Sequence, residues 1–494
     1  MICEILVFSL IFLILRCLLW LRNRRQRHRL FSENGIRGPK PSLLSGNYFE
    51  IKSDPNETFR EWIQEFGQHF GYYLGDTPVL MITDPVVIRE VLVSRSRQFQ
   101  NRQKFFLNAR PFVSSLLALR GDRWRHVRRV MTPFFSHHRV SSPEITAIIE
   151  ESVDRSIAKI IDDQKFLVNV TDRMQSITLD IICRIGLDMR DTDVHDEDSQ
   201  LKRAAQEFMA SATNLVVIWA SFLPFLRPVL TFINNYLTAG RMTDLLLKHL
   251  DRQITFATQS SSSSTSDPDS SSSKTISNNV LKSMLKSYFD GKLTREEVTG
   301  NSVLLILAAF DTTAMGLTFA LYCLAKNPAV QQTLHREIQS NGGHECDYLN
   351  MVWYESLRLY PPVATFVQRE ASETVEIASD RLIPGGSICH VPVWHIHHNP
   401  DLWPEPDRFD PQRFAPENRS AIPSIAYLPF GTGPRSCIGL ELAAHEARIT
   451  LSKIIGKFRV ETSAETPDRL EFRSTNGILS PKHSIYLQFI PINR

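Results

Sequence analysis

The stretch from Thr294 to Asn327 limits the possible architecture more than any other. Thr294 and Glu297 form a capping-box pair, an apolar run follows, and Asn327-Pro328 stops it. The pattern predicts one helix over residues 295–326, roughly 48 Å long at about 1.5 Å per residue. Its middle, Val303 to Ala309, is apolar on every side. A helix without a polar face in a soluble body must be central and enclosed. With 494 residues, 43% of them hydrophobic, the chain is long enough to enclose it.

No repeat period is visible, and short strands come early while helices dominate later. Tyr72-Tyr73-Leu74 and Val79-Leu80-Met81-Ile82 flank Gly75-Asp76-Thr77-Pro78, a hairpin pattern. Asp84-Pro85 supplies an N-cap and a first-turn proline for a helix through Val93. Residues 260–273 are nearly all serine and cannot bury enough apolar surface to order themselves, so they read as a flexible loop within one domain.

Residues 2–21 are mainly apolar, and about 20 helical residues span the roughly 30 Å hydrocarbon core of a bilayer. Arg16 lies near one end, where it can snorkel to the headgroups. Arginines follow in place of the small residues a cleavage site needs, so the segment is expected to be a retained anchor. Gly38-Pro39-Lys40-Pro41 suits a stiff connector, giving an anchor at 2–21, a basic, proline-containing linker at 22–45 and a single domain at 46–494. The positive-inside rule places that domain in the cytosol.

Six arginines against one glutamate in the first 30 residues absorb the formal charge of +3, so the remainder is close to neutral. Nucleic-acid binding has no electrostatic basis in such a chain. The cysteines number seven, an odd count with no CxxC pair, which argues against a disulfide framework or a zinc knuckle. Cys437 stands apart from the other six. It sits in Phe430-Gly431-Thr432-Gly433-Pro434-Arg435-Ser436-Cys437-Ile438-Gly439, a tight loop running into a helix. Free amides and the helix dipole there stabilise a thiolate, which can serve as an axial iron ligand. Arg435 suits a haem propionate, and Gly439 removes a side chain where a flat macrocycle could approach. Taken as a lone cysteine, Cys437 reads better as an inert buried thiol in a glycine-rich turn before a helix.

The ten-residue segment resembles the haem-binding signature of the cytochrome P-450 family at every defining position, and the resemblance extends over essentially the whole chain. It implies a mainly α fold with small β-sheets (α+β), the haem lying between the long helix and the cysteine loop. It makes Cys437 the iron ligand, with Phe430 and Gly439 part of the haem-binding loop and Arg435 a propionate partner. Trp124 and Arg128, four apart on one helix face, and Arg369 would join Arg435 there. Glu355-Ser356-Leu357-Arg358, read alone, is an ordinary surface ion pair. The resemblance makes it part of a structural triad with Arg413, although Gln412 stands where many relatives carry glutamate.

Ala308-Ala309-Phe310-Asp311-Thr312-Thr313 puts an acid beside a hydroxyl in the apolar run. Thr312 back-bonding to the Ala308 carbonyl is the plain reading. By resemblance the stretch is an oxygen-activation groove, with Thr312 and Asp311 catalytic, and Ala309 stands where relatives often have glycine. Pocket walls would come from Phe310, Ala309, Thr313, Val363, Ala364, Thr365 and Phe366, with Phe105, Phe106 and the run Phe222–Leu226 as further contributors. That run is alternatively a membrane contact. His395, His397 and His398 lack a fourth ligand at metal-site spacing.

The implied function is a microsomal haem-thiolate monooxygenase of the endoplasmic reticulum membrane. It would carry haem b and no flavin or nicotinamide of its own, and act on a lipophilic small molecule. An NADPH-dependent flavoprotein reductase, with cytochrome b5 as a further donor, would supply electrons, and Arg125 and Arg129 would help dock the reductase. The alternatives are a haem-thiolate isomerase or dehydratase working without reductase, and a non-catalytic haem sensor or carrier.

Overall fold

The computed structural model describes residues 2–492 except 105–110, 163, 165, 190–193, 197–198, 212–214, 239–243, 246, 253–254, 256–278, 341–342, 366, 379–380 and 476. The serine-rich stretch, Phe105, Phe106 and Phe366 therefore lie outside the described residues.

The expected long helix runs Arg295–Lys326 with both hydrogen bonds of its capping box in place. It passes the length and apolarity test for a membrane span but is mostly buried in the body, as its uniform apolarity requires. Its most extensive partner is the helix Val170–Leu187, and helices Val280–Phe289, Asp347–Leu359 and Leu440–Lys457 also pack on it. Small residues bring neighbours close. A Cβ at Gly300 would sit 2.6 Å from the Pro111 carbonyl oxygen, and one at Gly316 would sit 2.7 Å from the Trp353 ring. Asn301 adds a clamp, accepting from the Leu116 N–H at 2.8 Å while donating to the Glu297 carbonyl at 2.7 Å.

The β-structure is small and peripheral. His69–Leu74 pairs antiparallel with Thr77–Ile82, the hairpin expected. Thr77–Ile82 continues parallel to Ile388–His390 and then to Gln368–Glu370, making a four-stranded sheet. A second apolar cluster, including Leu80, Ile82, Val91, Val367 and Cys389, lies beneath it. After the Asp84 cap the helix is regular to Arg89 and then widens into a π-turn over Glu90–Ser94.

The N-terminal helix does not end at Leu21. It continues to Arg27, so the expected linker begins as helix. Arg24 is fully buried, pairs with Asp76 in the hairpin turn and donates to the Leu43 and Leu44 carbonyls. Its guanidinium also lies 4.5 Å from the Trp20 ring, and Trp20 meets Phe225 at 5.6 Å. The run Phe222–Leu226 is thus tied to the end of the first helix, and Phe222 packs on Tyr48 and Phe49.

Gly300→Val forces the long helix away from the segment at Pro111–Ser115, which main-chain atoms cannot relieve cheaply. We expect a loss of about 2 kcal/mol, measurable as a lower urea midpoint with an unchanged slope.

Candidate active site

The cysteine loop is closed by its own backbone. The Cys437 N–H donates to the Phe430 carbonyl at 2.9 Å, and Gly431 and Gly433 take φ of +65° and +72°. Gly433 has a second reason to be glycine, since a Cβ there would meet the Leu92 carbonyl oxygen of the π-turn at 1.9 Å. The helix Leu440–Lys457 starts immediately after, with Gly439 at its N-cap. A Cβ added at Gly439 would find only the Cys437 sulfur, at 4.0 Å, so the loop leaves an open face beside the sulfur.

Cys437 is accessible although Arg435, two residues earlier, is buried. Ala308 is likewise exposed in the middle of the otherwise enclosed long helix. Both exposures mark interior surface. Burial pushes the Cys437 thiol up, and the Gly439 N–H with Arg128 and Arg102 only partly opposes this. The sulfur is thus accessible at its surface and densely surrounded at the same time.

Around the loop the expected residues converge. Arg435 stacks on Trp124 at 3.8 Å and donates to the carbonyls of Gln100, Leu119 and Leu116. Arg128 donates to the Ser436 carbonyl at 3.0 Å, and Arg369 to Thr432 at 3.4 Å. Arg102, which the sequence reading missed, donates to the Arg435 carbonyl at 3.1 Å. No pattern marks Arg102 in the sequence; it joins the site only through tertiary folding. Burial is the main cause that depresses these cations, and their mutual repulsion adds to it. Arg435 is lowered to about 8, Arg369 to about 9 and Arg102 to about 10. The charges acting on Arg435 are those of Arg102, Arg369, Arg120 and Arg128.

Glu355 and Arg358 are not a surface pair. Both are fully buried, bonded through two nitrogens at 2.7 and 2.8 Å. Arg358 also donates to the His397 and Arg408 carbonyls, while the Asp410 N–H and Arg413 bond Glu355 at 2.9 and 3.4 Å. The three histidines have separate partners. His395 bonds the Asn56 carbonyl, His398 stacks on Trp394, and among the described residues no His/Cys/Asp/Glu group could hold a metal ion. His397 bonds the Arg358 carbonyl through Nδ1 and accepts the Leu428 N–H at Nε2, which fixes a neutral tautomer two residues before the cysteine loop.

On the long helix, Thr312 donates to the Ala308 carbonyl at 2.5 Å and Asp311 accepts from Gln175 at 2.8 Å, so the two neighbours engage different partners. Burial raises the Asp311 carboxyl. Phe310 is 1% exposed and packs in the main core, and its carbonyl accepts from Thr178. Thr313 and Ala364 are also buried, Val363 bridges Ile478, and Ala309 and Thr365 are partly exposed.

A family model for cytochrome P-450 matches residues 36–489. The chain is 29% identical to thromboxane-A synthase of Sus scrofa over 92% of each chain. It is also 29% identical to cytochrome P-450 3A56 of Fundulus heteroclitus over 93% of each. Cytochrome P-450 3A11 of Mus musculus is 29% identical over 94% of this chain and 93% of its own. The chain belongs to the cytochrome P-450 family, and it is an oxidoreductase of the P-450 monooxygenase class. The family implies a haem cofactor. The residues fit one: a thiol donor beside an open face, and buried guanidiniums crowded together where a dianion relieves their repulsion.

His397 is held neutral, with its pKa lowered to about 3 by burial. Below about pH 6.5 the unfolded chain takes a proton that the folded one refuses, so stability is present above that pH and falls with acidification. The loss is up to about 1.4 kcal/mol per pH unit for this group until roughly its folded pKa is reached. His390, lowered to about 3, and His395, lowered to about 4, add to it. Urea midpoints are expected to drop steeply from pH 7 to pH 5, and His397→Gln should shallow the slope.

Proposed function

We propose that this chain is a membrane-anchored haem-thiolate monooxygenase that places one oxygen atom of O2 into a lipophilic small molecule. The observation that carries this is the closed loop around Cys437, with its open face at Gly439 and four arginines drawn to it. Bound there through Cys437, haem b supplies reductive activation of dioxygen. Arg435, Arg128, Arg102 and Arg369 hold the propionates, and Trp124 supports Arg435 from its ring face. Thr312 gives its own proton to Ala308, which leaves its oxygen free to accept one from a ligand. Asp311, whose carboxyl pKa burial has raised, is placed to take up and release a proton.

Residues 2–21 anchor the chain in the endoplasmic reticulum membrane, with residues 46–494 as a single cytosolic domain. Electrons come from an NADPH-dependent flavoprotein reductase, with cytochrome b5 as a further donor, and this chain binds no flavin or nicotinamide. Arg125 and Arg129 stand exposed on the helix Gly121–Met131 and serve the reductase, although Arg125 also bonds Asp122 at 2.8 Å. The second reading, rearrangement without reductase, has the thromboxane-A synthase match in its favour. The Asp311-Thr312 pair speaks for the monooxygenase, and turnover that requires reductant separates the two.

Cys437→Ser tests the assignment directly. The variant should lose haem on purification, and any retained should lack the thiolate form of the ferrous carbon monoxide spectrum; an unaltered spectrum refutes the reading. Reversing charge at Arg125 and Arg129 together should weaken reductase binding at low salt, by about tenfold on the scale of exposed interfacial charges, and less at high salt. Equal affinity at both ionic strengths would dispose of that docking face.

A further inference from the structure

Asp311 lies in a buried setting that opposes its charge, yet it is not left to itself. Gln175, on the helix Val170–Leu187, donates its Nε2 to Asp311 Oδ1 at 2.8 Å. Gln206, exposed on the helix Gln200–Ser211, donates in turn to Gln175 Oε1 at 3.0 Å. Both helices pack on the long helix. An ionised carboxylate can only accept, so it fixes the sense of both amides: nitrogen toward the acid, oxygen toward the surface. A protonated acid keeps an acceptor oxygen but attracts the Gln175 amide less strongly, so the chain of amides holds the charged form best. The short chain of bonds is therefore coupled to the state of Asp311 from the enclosed helix out to solvent.

We propose that Gln175 is the positioning residue for Asp311, its amide, steadied by Gln206, fixing the carboxyl's direction and supplying the hydrogen bond its charged form needs. This rests on the reading of Asp311 as the proton-holding acid, and adds a residue that no motif contains. The helices Val170–Leu187, Gln200–Ser211 and Val280–Phe289, all packed on the long helix, carry the charged residues Asp172, Arg173, Asp180 and Arg184; Lys202, Arg203 and Glu207; Lys282 and Lys286. Lys202 is taken up by Asp172 and Ser176. Among the described residues two causes act on Asp311, burial raising it and the Gln175 bond opposing. The amide, not a neighbouring charge, is thus the lever on this acid.

The experiment uses the haem-loaded full-length protein and follows the Asp311 carboxyl stretch by infrared difference against Asp311→Asn across pH. Gln175→Leu should move the half-titration point up by about one pH unit, the scale of one hydrogen bond to a charged group. Gln206→Leu, a surface change that leaves the fold untouched, should move it the same way by less. Superimposable titrations for wild type and both variants would overturn the assignment, and an intact carbon monoxide spectrum in each variant shows that the haem pocket has survived. Product formed per NADPH in Asp311→Asn is a separate reading. If it equals wild type, the acid's role fails whatever the infrared titrations show.

Discussion

The ion pair between Glu355 and Arg358 is the constraint from which the architecture leading to the cysteine loop follows. Two charges that are 0% exposed are tolerable only when every remaining donor and lone pair is met. Meeting them recruits the carbonyls of His397 and Arg408, the Asp410 N–H and Arg413. Those groups lie in the irregular chain that leads to Phe430. His397 carries the restraint onward through Leu428, so a segment with little regular structure reaches the cysteine loop in a fixed path. Order there is electrostatic in origin, not inherited from helix or sheet.

The opposite face of the loop shows the reverse arrangement. Four guanidiniums surround it, and Arg435 rests on backbone carbonyls and an indole ring where a carboxylate would be the ordinary partner. Folding accepts that repulsion because the long helix and the loop 116–119 leave the cations no other place. Asn301 pins Leu116 from one side and Arg435 pins Leu116 and Leu119 from the other. The long helix is thereby linked mechanically to the arginine cluster through one short stretch of chain.

Much of this was legible in the residues. The capping box and the unbroken apolar run defined Arg295–Lys326 to the residue, because both signals are local. The hairpin at Gly75-Asp76 and the glycines of the cysteine loop were legible for the same reason. Tertiary facts were not. Glu355 and Arg358 have the spacing of a solvated pair, and nothing in the spacing reveals that helices cover them. Phe310 adjoins the acid in sequence yet turns about 100° away on the helix, into the core. Arg102 and Gln175 come from remote segments, and Arg24 reads as one basic residue among six until Asp76 is brought beneath it. The elevated Cys437 thiol has a similar lesson, since proximity to a helix start was visible and the depth of enclosure was not.

Arg24 also bears on how the protein can be shortened. Its guanidinium is shared among Asp76, two carbonyls and Trp20, so the hairpin turn relies on a residue three positions beyond the end of the apolar run at Leu21. A truncation that begins just after Leu21 retains this bolt. One that begins at residue 30 strips the enclosed Asp76 of its counter-ion and leaves an acid in the turn that joins the first two strands, which makes the choice of cut a matter of charge accounting as much as of solubility.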